Sequence, residues 1–139
     1  MLDAYNNIHA GTCASVPAPQ TNTFTGKIVV AKATTGSNAT FDYTGRDGAG
    51  ASAVLKGLPL NFTVTTAGGP PGAGSKTFSV LTGAYRVQET PEAGWTFSPP
   101  IVCVDPTTNS APDGGINIRA NINVAGGETV TCTWSNTFP

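Results

Sequence analysis

From Gly26 onward the chain is built almost wholly of short runs in which every second residue is apolar, punctuated by glycine and proline. Leu58, Leu60, Phe62 and Val64 alternate in this way, as do Ile116, Ile118, Ala120, Ile122 and Val124. A period of two places alternate side chains on opposite faces of an extended strand, and no stretch carries the 3.6-residue period of a helix. Strands are predicted at Gly26–Ala33, Thr40–Thr44, Leu58–Thr66, Lys76–Leu81, Ala84–Thr90, Pro100–Val104, Ile116–Val124 and Thr129–Thr137. Ala67 to Ser75, with Gly68-Gly69-Pro70-Pro71-Gly72, reads as a loop or hairpin tip. Consecutive half-buried strands joined by such turns pack as an all-β antiparallel sandwich, and 139 residues supply one core. Residues 26–139 are read as that domain. Met1 to Thr25, with Pro17-Ala18-Pro19 and no sustained periodicity, reads as an N-terminal arm or linker.

Three polar residues break the alternation where it points inward. In Ile28-Val29-Val30-Ala31-Lys32 the count puts Lys32 on the face of Ile28 and Val30. It likewise puts Glu89 with Tyr85 and Val87, and Asn136 with Val130, Cys132 and Trp134. Burial disfavours the charged form of an unpaired ammonium or carboxylate. A neutral lysine is a nucleophile. If it meets the Asn136 amide carbon while a protonated Glu89 shuttles protons, a Lys–Asn isopeptide bond forms with loss of ammonia. A second reading stands beside it: a buried Lys32–Glu89 ion pair with Asn136 as hydrogen-bond partner.

At these positions the chain resembles the Cna protein B-type domains of Gram-positive surface proteins and pilins, also called SpaA-like or prealbumin-like domains. The resemblance rests on Lys32 late in the opening strand, on Gly83-Ala84-Tyr85-Arg86-Val87-Gln88-Glu89-Thr90 followed by Gly94-Trp95, and on Thr133-Trp134-Ser135-Asn136 in the closing strand. It implies an immunoglobulin-like (prealbumin-like) sandwich in which Lys32 and Asn136 lie on neighbouring first and last strands. Glu89 stands beside them as proton shuttle, and the bond forms without cofactor. Cys103 and Cys132 depart from the pilin pattern and point to a disulfide-bearing branch.

Those two cysteines flank a turn-rich insertion, Asp105 to Gly115, in segments that alternation makes partly core-facing, and they are expected to pair. Closing such a loop contributes roughly 3 kcal/mol in the chain-entropy model and presupposes an oxidising compartment. Cys13 is left over on the arm, either as a silent thiol or as an intermolecular bridge.

Charged residues make up 11% of the chain, against about 25% in ordinary soluble domains. The net charge is −1 and the basic residues are scattered, so no footprint for nucleic acid is present. Neither a signal peptide nor a membrane span opens the chain, and no sortase-type signal follows Phe138-Pro139. The expectation from these ends is a processed chain, an excised domain, or a virion protein that needs no export. The setting expected is extracellular, on a cell surface or a virion.

Other constellations lead away from conventional catalysis. Gly69 to Lys76 lacks the Gly-Lys step and the helix of a phosphate loop. His9, the only histidine, stands on the arm with Cys13 four residues on, so a Ser-His-Asp or Cys-His hydrolase would need its base on that segment. Asp47-Gly48 and Asp113-Gly114-Gly115 read as turns rather than calcium loops, and no metal or cofactor is expected. Asn38-Ala39-Thr40 and Asn61-Phe62-Thr63 fit the glycosylation sequon but decide nothing alone. The reading is therefore a structural module of a stalk, pilus, fibre or particle surface, cross-linked to itself and joined to neighbours through its arm. The competing class is a glycan- or protein-binding adhesin with Trp95, Tyr43 or Tyr85 as a stacking platform. The alternation favours these aromatics as core.

Overall fold

The computed structural model describes residues 24–139 as two packed β-sheets. Its strands are β1 (Thr25–Thr35), β2 (Thr40–Asp47), β3 (Asn61–Thr65), β4 (Gly72–Leu81), β5 (Gly83–Glu89), β6 (Thr96–Phe97), β7 (Val102–Val104), β8 (Ala111–Pro112), β9 (Arg119–Val124) and β10 (Thr129–Thr137), with a short 3-10 turn at Val54–Lys56. One sheet runs β4-β1-β10-β6, with β7 also paired to β10, and the other runs β3-β2-β5-β9-β8. The expected arm, its proposed assembly role, His9 and Cys13 fall outside the described residues, apart from Phe24 and Thr25, where β1 begins.

The pairing is antiparallel except at one place. β1 and β10 lie side by side in parallel, with Lys32 opposite Trp134 and Thr34 opposite Asn136. Within the expected antiparallel sandwich this is the one parallel pair among the described strands. Parallel neighbours need a long crossover, and here everything from β2 to β9 supplies it.

Alternation predicts faces better than boundaries. In β1, Ile28, Val30, Lys32 and Thr34 are buried while their neighbours are half-buried or exposed, and β10 repeats the pattern at Val130, Cys132, Trp134 and Asn136. β10 matches its predicted span of Thr129–Thr137, whereas the strand expected from Leu58 begins only at Asn61. Leu58 is nonetheless fully buried, because its loop folds back over the core. Ile116 is 37% exposed and β9 starts at Arg119, so Ile116 and Ile118 precede the strand their alternation suggested. β4 starts at Gly72, inside the expected Gly/Pro loop.

Glycine makes that extension workable. A Cβ on Gly74, which lies opposite Lys32, would sit 2.0 Å from the Thr65 carbonyl oxygen. One on Gly72 would sit 2.0 Å from Asn38 Oδ1 and 2.6 Å from Thr34 Oγ1. Without side chains at these two positions, β4 closes against the end of β3, over the row that carries Lys32.

The core centres on Trp134, Tyr43, Tyr85, Phe41, Ile28 and Leu58, all essentially without solvent exposure. Trp134 donates its indole N–H to the Ile118 carbonyl at 2.8 Å, and Tyr85 donates its hydroxyl to the Leu81 carbonyl at 2.5 Å. Each buries an aromatic body and still satisfies its polar tip.

Cys103 and Cys132 are joined by a disulfide, directly opposite one another on β7 and β10, with their Cα atoms 4.0 Å apart. The bond closes a sequence separation of 29 residues around the β8 and β9 segment. Replacing both cysteines by alanine is expected to lower the unfolding free energy by about 3 kcal/mol. Urea titration of oxidised wild type against the double variant measures this, and coincident midpoints with equal slopes would contradict it.

Candidate cross-linking site

Both sheets contribute to one buried cluster. β1 supplies Lys32 and β10 supplies Asn136, one inward position beyond Trp134, the residue opposite Lys32. From the other sheet, Glu89 closes β5 directly opposite Tyr43 of β2. Lys32, Glu89 and Asn136 are 1%, 1% and 3% exposed, so the three residues singled out by alternation are brought together as a buried group.

The Glu89 carboxylate is the hub of this group. Its Oε2 forms the ion pair with Lys32 Nζ and accepts the Tyr43 hydroxyl at 3.1 Å. Its Oε1 accepts Asn136 Nδ2 at 2.9 Å. The Phe41 ring lies beneath the amine, with Lys32 Nζ 4.1 Å from its centroid. Asn136 Oδ1, by contrast, is buried without a hydrogen-bond partner among the described residues. A stranded buried carbonyl of this kind costs about 1–3 kcal/mol.

The shell around the hub is aromatic. Tyr43 stacks on Phe62 at 5.4 Å and meets Trp134 edge to face at 5.3 Å, while Trp95 packs between Phe41 and Phe138. Phe97 lies opposite Asn136 on β6. Burial lowers the Lys32 pKa from its ordinary value, against the opposing pull of the Glu89 carboxylate. Burial also pushes the Tyr43 phenol far up, with Glu89 adding to the effect, so that Tyr43 stays a hydrogen-bond donor. The pocket thus holds an amine, a carboxyl group and a primary amide, screened from water and from other charges.

The aromatics considered as a stacking platform do not form one. Tyr43 and Tyr85 are each 1% exposed, and Trp95 is half-buried against the core. Asp47 Oδ1 accepts the backbone N–H groups of Ala49 and Ala51 at 2.9 Å each. Asp113 takes Gly115 and Ile116 N–H groups on one oxygen and Arg119 and Asn121 on the other. These carboxylates organise turns, and the Arg119 guanidinium holds the Asp113 carboxyl well below its ordinary range.

Sequence reasoning passed over Phe41 and gave Tyr43 no place in the site. Alternation along Thr40–Thr44 puts both on one face, but their meeting with Lys32 and Glu89 depends on the register between β2 and β5 and on sheet stacking.

The family of prealbumin-like fold domains matches residues 28–138, the stretch that carries all three polar residues and both bonded cysteines. The chain belongs to the prealbumin-like family. No curated protein matches it. Among solved structures, this prealbumin-like domain is similar to a bacterial adhesin from Mobiluncus mulieris containing intramolecular disulfide, isopeptide and ester bond cross-links. Identity is 16% and the TM-score 0.48, with 81% of this chain and 42% of that one covered. It is also similar to a mutant of the major pilin from Streptococcus pyogenes, at 13% identity and a TM-score of 0.37, over 83% of this chain and 48% of that one. The prealbumin-like domain therefore spans less than half the length of either structure.

The pairing has a direct energetic consequence. In an Asn136→Ala background, where no link can form, Lys32→Ala strands the Glu89 carboxylate and is expected to cost about 3–5 kcal/mol. Adding Lys32→Met with Glu89→Gln to that background, so that no charge remains, should recover most of the loss. Urea unfolding of the three proteins tests this, and a loss below about 1 kcal/mol for Lys32→Ala would contradict a buried charged pair.

Proposed function

We propose that the chain is a structural module of a cell-surface stalk, pilus or fibre, hardened by an intramolecular Lys32–Asn136 isopeptide bond together with the Cys103–Cys132 disulfide. The observation that carries this reading is the convergence of Lys32, Glu89 and Asn136 in one buried pocket spanning both sheets. Membership of the prealbumin-like family over residues 28–138, which include all three residues, supports it. Nothing in the comparisons supports a virion surface.

The chemistry follows from the groups present. Relative to the ion pair, one proton passes from Lys32 Nζ to the Glu89 carboxyl, leaving a free amine beside the Asn136 amide. Nζ attacks Asn136 Cγ, and the Cγ–Nδ2 bond breaks. Glu89 delivers its proton to the departing nitrogen and collects one from Nζ, so that ammonia leaves and a secondary amide remains. The amine and the amide each meet the Glu89 carboxyl group, and burial supplies the desolvation that frees the amine.

The position of the bond gives it a mechanical role. It ties the first strand to the last, so tension entering at β1 leaves through β10 without unfolding what lies between. Filament neighbours are the partners this role implies, and the chemistry is confined to the chain itself. Stretched by its two ends in single-molecule force spectroscopy, the oxidised wild type is expected to release none of residues 33–135. Lys32→Ala should release that segment, except for the loop retained by the disulfide. Release from the oxidised wild type equal to that from Lys32→Ala would overturn the load-bearing reading.

A further inference from the structure

The hydroxyl of Tyr43 has no place in the proton-transfer scheme above, although it is buried at the centre of the pocket. It donates to Glu89 Oε2, the same oxygen that meets Lys32 Nζ. The other carboxyl oxygen, Oε1, faces Asn136. Glu89 is therefore divided between a side occupied by two donors and a side facing the amide.

That division decides where an acid proton can sit. Once Lys32 is a neutral amine, it and Tyr43 can still both donate to Oε2, which makes Oε2 the carbonyl oxygen of the protonated carboxyl group. A half-turn of the carboxyl group about Cγ–Cδ, which exchanges its two oxygens, then carries the proton received from Nζ to the Oε1 side, beside Asn136. The stranded Asn136 Oδ1 fits this state. The two ends of a primary amide are nearly isosteric, and a half-turn about Cβ–Cγ replaces the Nδ2 donor at Oε1 with the Oδ1 acceptor. An Oε1–H to Oδ1 hydrogen bond then draws electron density from Cγ, the atom the amine attacks, and when the tetrahedral carbon collapses Glu89 passes this proton from the Oδ1 side to the geminal Nδ2, which departs as ammonia.

We infer that Tyr43 is the positioning residue of the cross-linking site: its hydroxyl, with the Lys32 amine, occupies Glu89 Oε2 and so directs the carboxyl proton to Oε1, toward the Asn136 amide. The inference rests on the isopeptide reading and adds a residue to it. Phenylalanine at this position keeps the ring contacts with Phe62 and Trp134 and removes only the donor. Without that donor, the proton is divided between the two oxygens, and the fraction on Oε2 is aimed away from the amide.

The test is a time course of ammonia loss from the full chain after cell-free synthesis, read by intact mass on denatured, reduced samples. Tyr43→Phe is expected to slow the loss about tenfold, the equivalent of one buried hydrogen bond to a reacting group. Tyr43→4-methylphenylalanine fills the space of the hydroxyl without donating and should remain slow. Tyr43→4-aminophenylalanine restores an N–H donor at that place and should return the rate to within about twofold of wild type. Linking by Tyr43→Phe at the wild-type rate, or rescue by the methyl variant equal to that by the amino variant, would overturn the role of Tyr43 alone. Absence of ammonia loss from the wild type would remove the isopeptide reading and this inference with it.

Discussion

A lysine and a glutamate cannot be carried singly into the core of a sandwich this size. The desolvation cost for each isolated ion amounts to several kcal/mol, a large share of what a single domain holds in reserve. They enter together or as neutral groups, and the rest of the architecture is arranged around that requirement. Glu89 must reach across from one sheet to Lys32 and Asn136 on the other, so the stacking of the sheets and the register of β1, β5 and β10 are constrained by one carboxylate. Aromatic rings fill the surrounding space, and Gly74 lets the edge strand close over the amine's row.

β10 is where the stabilising devices converge. It pairs with β1 along its whole length, carries Asn136 into the polar pocket, and holds β7 through Cys132. The chain therefore closes on itself at its last strand, next to its first. For a module under tension this topology puts the load across neighbouring strands that the proposed bond would join, and leaves the long β2 to β9 excursion outside the load path. The disulfide protects a different part, the hairpin-like insertion between β7 and β10.

Most of this was legible from residues whose neighbours along the strand settle their direction. Alternation is local, so it assigned inward faces to Lys32, Glu89 and Asn136 and placed β10 from a run free of glycine and proline. It failed where long-range contacts decide the outcome. Leu58 alternates like a strand residue yet sits in a loop, and Ile116 is half-exposed ahead of β9. The parallel pairing of β1 with β10 is a property of the whole topology. Tyr43 shows the same limit within the site, since its partner Glu89 lies 46 residues away and only cross-strand register brings the two opposite one another.

The central claim is that the buried amine and amide become one covalent unit, and the mass of the fully reduced, denatured chain tests it most directly. Reduction takes the disulfide out of the comparison. The account predicts a deficit of one ammonia against the sequence mass, located by tandem spectra to a peptide joining Lys32 and Asn136, and full mass in Glu89→Ala. An unmodified mass would contradict it and leave the three residues as a buried ion pair with a hydrogen-bonded amide.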